Sequence, residues 1–362
     1  MATRKDIKLA DEKGFDVKKY RHAEEKELKK RVKFFGGRLY LEIGGKLYED
    51  GHAARVLPGY DPDTKTELLK KFSKDIDLVH CISSKMIWQG KIRGDSHVLY
   101  SDELIKDIKH LKSRGIETEA VFISRVSRST RHAAEAMKRK IEGEFGKNGD
   151  IKILFGYEIS RYPKNLKVIL SDKGYGHEEY LNPKKPIIAI TAPGPGSGKM
   201  AFCMAQMFHD RKYEIMSGFA KIETFPVYNL PLNHPINIAY EAATADIGDY
   251  NVIDKYHKAA YGIDAVNYNR DVENFAILKR IIDGMTTEGD PLRSIKSPTD
   301  MGIGMIKVGI TNDRIVRRAA EAEIIRRYYS YKKDFESGRV TKEVMERMEN
   351  ILKKARLWKG LK

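Results

Sequence analysis

The sequence has little cysteine and no long apolar run. Only Cys81 and Cys203 occur in 362 residues, so disulfides cannot be the main support of the fold, and no C-x-x-C zinc site is present. No apolar run approaches the roughly 20 residues that a membrane span needs, and residues 1–6 do not begin a signal peptide. Internal repeats and low-complexity tracts are lacking as well. These absences predict a cytoplasmic protein in a reducing compartment, with no membrane partner.

The chain is strongly basic. Its 67 Lys and Arg residues exceed its 51 Asp and Glu residues, which gives a formal net charge of +16. Such a charge attracts polyanions, which include nucleic acids, nucleotides and phosphorylated metabolites, and charge alone does not choose among them. Much of the excess lies in helical stretches such as residues 18–33, 65–74 and 314–362, where solvated helix faces are the simpler explanation. The chain length and the apolar helices make a homo-oligomer the expected state.

Alternating strand-like and helix-like segments predict an α/β fold. Between residues 63 and 155 apolar segments and amphipathic helices alternate, which indicates βαβ units and a mostly parallel sheet. We expect a Rossmann-like domain over residues 1–185, with a leader helix and a hairpin at Gly44-Gly45. Residues 167–171 are predicted to be another strand of that domain. A P-loop-like α/β domain is expected over residues 186–362, with basic helices at its end.

A glycine-rich loop follows the apolar segment 186–190. Residues 191–200 read Thr-Ala-Pro-Gly-Pro-Gly-Ser-Gly-Lys-Met and lead into a helix-like run, which is the layout of a phosphate-binding loop. Glycines let backbone N–H groups point into one concavity, and the helix N-terminus and a lysine add positive charge. Pro193 replaces the first glycine of the usual pattern and Met200 replaces its Mg²⁺-binding hydroxyl, so a strand-to-helix turn with an exposed lysine is the alternative. The predicted phosphate ligands are Gly194, Gly196, Ser197, Gly198, Lys199 and Met200.

Carboxylates beyond this loop are candidate magnesium ligands. Mg²⁺ is usually held by one or two carboxylates, phosphate oxygens and water, and Glu223, Glu241 and Asp246 follow the loop in sequence. Because Met200 has no hydroxyl, these carboxylates would carry more of the coordination. Helix capping and turn formation are their alternative roles.

Basic residues in the first half of the chain are candidate substrate ligands. His52 and Arg55 lie in a non-periodic segment of loop composition, where a structural histidine–aspartate contact is the alternative. Arg125 and Arg128 follow a predicted strand, at the edge where open α/β sheets bind ligands. A solvated helix start explains these two arginines as well. Lys46, just before this loop-like segment, is also predicted to bind substrate.

The second half of the chain contains another polar cluster. Asn267 and Asn269 can recognise a base, a ribose or an amide, and we predict that they bind the nucleotide. Arg270 and Asp271 follow them and are predicted to bind substrate, although Asp271 could simply cap a helix. His234 lies in a structured loop that is rich in proline and asparagine. It completes the predicted substrate-binding set.

Several segments resemble an uncharacterised prokaryotic family of unknown function. They are residues 39–42, 44–47, 52–59, 191–200, 223–226, 240–246, 267–273 and 297–302. The resemblance runs from about residue 15 to about residue 310. It implies that Met200 is a family trait and that longer members carry a further C-terminal region. Some members are labelled ATP-dependent peptidases, but this sequence has neither a His-Glu-x-x-His nor a Gly-x-Ser-x-Gly motif.

The glycine loop and the later segment 220–225 are also similar to ATP-dependent synthetases such as dethiobiotin synthetase and CTP synthetase. This fold-level similarity implies that Lys199 and Lys221 flank the transferred phosphoryl group. By the same similarity, Glu223 and Asp246 would hold Mg²⁺.

The leading hypothesis is a ligase or phosphotransferase that uses ATP or GTP with Mg²⁺ and acts on a small anionic substrate. Lys199, Lys221 and His52 are the predicted catalytic residues, since phosphoryl transfer needs mainly positioning and positive charge. Arg55 and Lys199 are expected to share one cleft between the two domains. The alternatives are a nucleic-acid-binding protein that uses the basic surface, and a phospho-metabolite enzyme without nucleotide that uses His52, Arg55 and residues 269–271.

Overall fold

The computed structural model describes residues 12–93, 97–146 and 151–358. Its strands are β1 (Leu39–Ile43), β2 (Ile76–Ser83), β3 (Thr118–Val126), β4 (Lys152–Tyr157), β5 (Ile187–Thr191), β6 (Gly218–Ile222), β7 (Asn251–Ile253), β8 (Val266–Tyr268) and β9 (Gly302–Ile303). Its helices are α1 (Val17–Phe34), α2 (Gly51–Val56), α3 (Thr64–Lys71), α4 (Ser84–Trp88), α5 (Tyr100–Ser113), α6 (Arg131–Phe145), α7 (Leu166–Ile169), α8 (Lys199–Lys212), α9 (Pro235–Ala243), α10 (Lys255–Tyr261), α11 (Asn269–Met285), α12 (Pro298–Met301), α13 (Ile306–Gly309), α14 (Asp313–Glu336) and α15 (Lys342–Lys354). The start of the predicted leader, residues 1–11, lies outside the described residues.

Seven strands form one sheet in the order β4-β3-β2-β5-β1-β6-β9. Every neighbouring pair in it is parallel, which confirms the predicted α/β class with a parallel, Rossmann-like sheet. Parallel neighbours need long crossover connections, and helices lie between successive strands of this sheet along the chain. β7 and β8 pair antiparallel in a separate two-stranded sheet.

Two predicted strands are wrong. No hairpin forms at Gly44-Gly45, because β1 lies between β5 and β6 with both partners parallel. Residues 46–48 form no strand. Residues 167–171 begin in the short helix α7, whose start is capped by the Asn165 side chain as it accepts from the Val168 N–H.

The expected domain boundary at residues 185 and 186 falls inside the seven-stranded sheet. β5, from the second half of the chain, lies between β2 and β1, from the first half. The register places Leu41 of β1 opposite both Ala189 of β5 and Ala220 of β6. Strands from the two halves are therefore hydrogen-bonded neighbours throughout the middle of the sheet.

Apolar side chains cover both faces of the sheet. β1 and β5 are buried at every position, as expected for central strands of a parallel sheet with helices on both faces. Successive residues of β3 pack against different groups of helices, on opposite faces of the sheet. Val121 and Ile123 pack with residues of α5 and α6, whereas Phe122 packs with Phe202 of α8.

The C-terminal helices α14 and α15 each carry more basic than acidic residues, as predicted. α14 packs against α2, α9 and α15. In the ranges that the structure describes, no helix has both the length and the apolar character needed to cross a membrane. Because the seven strands are parallel, their carboxyl ends meet at one edge, which is where ligands bind in open α/β sheets.

Candidate functional site

The glycine-rich loop joins β5 to α8 at this edge. β5 ends at Thr191 and α8 begins at Lys199, so the strand, loop, lysine and helix follow in the predicted order. Gly196 and Gly198 have φ angles of 75° and 95°, in the left-handed region that favours glycine. The loop is braced internally, since the Ser197 hydroxyl donates to the Gly194 carbonyl at 2.7 Å. Its Ser197 carbonyl accepts from the buried Ser124 hydroxyl at 2.9 Å.

The backbone of this loop presents unpaired donors. The N–H groups of residues 196–201 donate no hydrogen bond to any residue in the described ranges, and no side chain caps the start of α8. Successive N–H groups at a helix N-terminus form a binding site for anions, because the helix dipole adds partial positive charge there. This arrangement can bind phosphate.

Lys199 contacts a carboxylate that the sequence did not indicate. Its Nζ atom lies 3.6 Å from Oε1 of Glu42, and both side chains are largely buried. Glu42 is the fourth residue of β1, in register with Ile190 of β5 and Lys221 of β6. Its Oε2 atom is buried and has no hydrogen-bond partner among the described residues. The only sequence signal was a carboxylate inside an otherwise apolar strand.

Lys221 is the centre of a second buried polar cluster. Its ammonium group donates to Asp271 at 2.5 Å and to the Tyr268 hydroxyl, and lies 3.3 Å from Glu223. The Tyr268 hydroxyl in turn donates to Glu223 at 2.5 Å. Asp271 therefore pairs with Lys221 and does not cap α11, whose N-cap residue is Tyr268 and whose start has no side-chain cap. Tyr268 was not predicted to belong to the site, although it lies within the asparagine-rich segment that was singled out.

The charges in this cluster shift its pKa values. Burial lowers the pKa of Lys221, but Asp271, Glu223 and Glu42 together outweigh it, and the net pKa is raised. Burial raises the pKa of Glu223, against the opposing effect of Lys221. Lys221 therefore stays charged at neutral pH, and it is the positive group that holds the carboxylates together.

One cavity of about 1770 Å³ joins the glycine loop, the Lys221 cluster and α2. Arg55 and Lys199 both line it, as the shared-cleft prediction requires. The cavity runs along the carboxyl ends of strands in the seven-stranded sheet. The predicted site residues that line it are Lys46, His52, Arg55, Arg125, Gly194, Gly196, Ser197, Gly198, Lys199, Met200, Lys221, Glu223, Asp246, Arg270 and Asp271.

All three predicted magnesium ligands have protein partners, and Glu223 has those of the Lys221 cluster. Glu241 does not line the cavity, and its Oε1 accepts from Lys354 at 2.7 Å and from the Asn251 N–H at 3.0 Å. Asp246 lines the cavity but accepts from the Tyr331 hydroxyl at 2.9 Å. In the part of the chain that the structure describes, no group of three or more His, Cys, Asp or Glu side chains is placed to hold a metal ion.

Four other predicted ligands do not line the cavity. Asn269 accepts from the Tyr250 N–H at 3.1 Å, and the Asn267 amide oxygen accepts from the next backbone N–H at 2.9 Å. His234 is buried at the start of α9, with its Nε2 atom 3.0 Å from Asp313. Arg128 is exposed outside the cavity. Asn267, Asn269 and His234 have structural hydrogen bonds that account for their polarity.

The cavity is also lined by an arginine cluster, which we define as Arg55, Arg326 and Arg327 around Glu323. The fully buried Glu323 carboxylate of α14 accepts from Arg55 at 2.7 Å, from Arg326 at 2.6 Å and from Arg327 at 3.1 Å. It also lies 3.2 Å from Nδ1 of His52. The three α14 residues were not predicted, because nothing in the sequence links them to α2.

The arginine cluster keeps the Glu323 carboxylate ionised. Burial works to raise the pKa of Glu323, but hydrogen bonds from Arg326, His52 and Arg55 hold that pKa far below its usual range. Burial lowers the pKa of His52, with Glu323 acting in the opposite direction. Glu323 is thus ionised and His52 neutral near pH 7.

Comparisons with known proteins support the resemblance. The model of the family described as "Domain of unknown function DUF1846, N-terminal" matches residues 13–356. The chain is 42% identical over 339 residues to UPF0371 protein SpyM50764 of Streptococcus pyogenes serotype M5 (strain Manfredo), and these cover 94% of this chain and 66% of the relative. A UPF0371 protein of Streptococcus thermophilus (strain ATCC BAA-491 / LMD-9) matches with the same identity and coverage. The chain therefore spans about two thirds of the length of these curated relatives.

Proposed function

The chain belongs to this family of unknown function, and we propose that it is a ligase or phosphotransferase that uses ATP or GTP and acts on a small anionic substrate. One observation carries the proposal. The N–H groups of residues 196–201 have no hydrogen-bond partner in the described ranges, and these residues, which include Lys199, line a cavity that Lys221 also lines. Phosphoryl transfer requires mainly positioned positive charge and hydrogen-bond donors around the phosphates.

The cavity is large enough to hold two small ligands side by side. Sites for single small molecules usually enclose about 300–1,000 Å³, whereas this cavity encloses about 1770 Å³. In the proposal the nucleotide phosphates lie on the glycine loop. The anionic substrate lies toward the arginine cluster, and Lys221 is near the transferred group.

Lys199 must exchange partners when phosphate binds. Without ligand, its ammonium group lies 3.6 Å from Glu42. A nucleotide phosphate carries more negative charge than one carboxylate, so it competes for the lysine. Glu42 then still lies beside Lys221, its register partner on the neighbouring strand β6. In this proposal, Glu42 holds Lys199 in place before the nucleotide arrives.

Magnesium fits only part of the predicted ligand set. Glu241 is paired with Lys354 and Asp246 accepts a hydrogen bond from Tyr331, so these two carboxylates already have structural roles. Glu223 and Glu42 remain on the cavity wall, and the unpartnered Oε2 of Glu42 is a suitable oxygen donor. A magnesium ion would be held by one or both of them together with phosphate oxygens and water, and it would neutralise phosphate charge.

We also propose a cytoplasmic location and a homo-oligomeric state. Cys81 and Cys203 are both free and buried, which suits a reducing compartment. Large apolar side chains are exposed at Trp88, Ile92 and Tyr213, and contact between copies would bury them.

Isothermal titration calorimetry with ATP and with GTP, each with and without Mg²⁺, tests the proposed function. Lys199→Ala is expected to weaken nucleotide binding by about tenfold or more, since a charge-assisted contact to phosphate is lost. Lys212→Ala is the matched control, because this lysine lies at the other end of α8 and pairs with Asp172 on the surface. The proposal is refuted if the wild-type protein binds neither nucleotide. It is also refuted if Lys199→Ala leaves nucleotide binding unchanged.

A further inference from the structure

The arginine cluster and His52 form a subsite of their own within the cavity. We propose, resting on the function proposed above, that this subsite binds the phosphoryl acceptor, a small molecule with both a phosphate group and a hydroxyl group. The arginines bind its phosphate, and His52 takes the proton from its hydroxyl. Glu323 is a positioning residue that holds all four side chains.

The cluster has donors left over for a ligand. Glu323 engages Nε and Nη2 of Arg55 and Arg326, and Nε of Arg327. Nη1 of Arg55 and of Arg326, and both Nη groups of Arg327, make no hydrogen bond within the described ranges. The side chains are 39%, 44% and 22% exposed. Planar guanidinium groups bind phosphate in a bidentate manner.

The charge of the cluster favours a phosphate. Three guanidinium groups around one carboxylate leave a net charge of +2 while His52 is neutral. A phosphate monoester carries about −1.5 to −2 at pH 7, which matches that charge better than a single carboxylate does. The positive charge of the cluster repels an ammonium group, whereas it does not repel a hydroxyl group, and we therefore assign a hydroxyl as the nucleophile of the acceptor.

The hydrogen bond to Glu323 sets the tautomer of His52. An ionised carboxylate only accepts hydrogen bonds, so the proton lies on Nδ1 and the lone pair on Nε2. Nε2 is buried without a partner among the described residues, and His52 is one of the residues that line the cavity. The other charged groups that act on the ring are Arg327 of α14, which lowers its pKa, and Asp50 before α2, which raises it. A neutral imidazole with a free acceptor nitrogen is suited to be a general base.

The proposed reaction transfers the γ-phosphoryl group of ATP to the acceptor hydroxyl. The acceptor hydroxyl oxygen attacks the γ-phosphorus of ATP, and its proton moves to Nε2 of His52. The bond between the γ-phosphorus and the bridging oxygen breaks, and the nucleoside diphosphate leaves with the electron pair. His52 then releases the proton to water, which restores the starting state.

The first test measures anion binding without nucleotide. Inorganic phosphate is titrated into a Lys199→Ala background, which weakens competing binding at the glycine loop. Adding Arg326→Gln is expected to weaken the remaining phosphate affinity about tenfold or more, and Arg55→Gln is a second variant should the first fail to fold. Arg128→Gln, outside the cavity, is the control and should have no effect. Unchanged phosphate affinity in both cluster variants overturns the subsite, whatever the glycine loop binds.

The second test addresses the proton. Magnesium ATP is supplied with glycerol 3-phosphate, ribose 5-phosphate or fructose 6-phosphate, and ADP release is measured. His52→Gln should lower kcat about 100-fold or more and leave KM nearly unchanged. Nitrogen NMR of labelled histidine should show Nδ1 protonated and only Nε2 titrating. ADP release from none of these acceptors by a protein that binds ATP refutes the acceptor class alone, and a neutral His52 ring that carries its proton on Nε2 and not on Nδ1 refutes the role of His52.

Discussion

Replacing Gly198 by alanine tests the link between loop geometry and phosphate binding. Gly198 has a φ of 95°, and an added Cβ atom would lie 2.6 Å from both Cβ and Oγ of Ser124. The left-handed conformation costs about 1 kcal/mol for alanine. The overlap with a buried neighbour adds about 1–3 kcal/mol. We therefore expect the free energy of unfolding to fall by about 2–4 kcal/mol.

The same substitution should displace the N–H groups that bind phosphate. Loss of one or two charge-assisted hydrogen bonds, at about 1.5 kcal/mol each, lowers ATP affinity about 10- to 100-fold. Calorimetric titration with ATP measures the affinity, and urea denaturation measures the stability. A second substitution, Ser124→Gly, makes room for the new methyl group and should recover part of both losses.

Gly115→Ala is the matched control for this experiment. Gly115 also has a positive φ, 78°, but nothing lies within 4 Å of an added Cβ atom, and the residue does not line the cavity. It should lose about 1 kcal/mol of stability from backbone strain alone and bind ATP as the wild type does. A folded Gly198→Ala protein with wild-type ATP affinity would refute the role of the loop.

Three further predictions concern the buried charges. Burial raises the pKa of Glu24 to about 7, so the native state holds a proton that the unfolded chain releases, and the free energy of unfolding falls as pH rises from about 4.5 to 7. Urea denaturation should therefore show the stability of Glu24→Gln rising by up to about 3 kcal/mol relative to wild type between pH 5 and pH 8. A stability difference between the two proteins that does not change with pH would contradict this. Lys221→Met should lower the free energy of unfolding by about 3–5 kcal/mol at pH 7, because buried carboxylates such as Asp271 lose their counter-charge. This loss of stability should become smaller in acid, where the carboxylates are protonated, and an equal loss at pH 5 would contradict the explanation. Asp290→Ala should lose a similar amount, since Arg211 keeps an unpaired charge after losing contacts of 2.7 and 3.1 Å, but its ATP affinity, measured by calorimetry, should not change.

Local sequence patterns predicted the parts of the protein that depend on neighbouring residues. The parallel α/β sheet, the loop between β5 and α8 and the position of Lys199 at the helix start all follow from hydrophobic periodicity and glycine spacing. The hairpin at Gly44-Gly45 was wrong because the same dipeptide can lead out of a parallel strand. Whether a short apolar strand pairs with its sequence neighbour or with distant strands is not encoded locally.

The rest of the site depends on contacts between distant parts of the chain. Glu42 belongs to the site because β1 inserts between β5 and β6, and Glu323 because α14 packs against α2. The two residues are separated along the chain by most of its length, and no local pattern relates them. Glu241 and His234 were assigned to the site from their chemistry alone, whereas tertiary packing gives them other partners.

Backbone amide NMR locates the bound nucleotide on the protein. The protein is labelled with ¹⁵N, and a non-hydrolysable ATP analogue is added with Mg²⁺ while the amide resonances are followed. We expect the amide protons of residues 196–201, which have no partner in the described ranges, to move downfield as they donate to phosphate, while those at the start of α6 stay in place. Saturable binding that leaves the resonances of residues 196–201 unshifted would show that the nucleotide binds elsewhere and that the glycine loop is not its phosphate site.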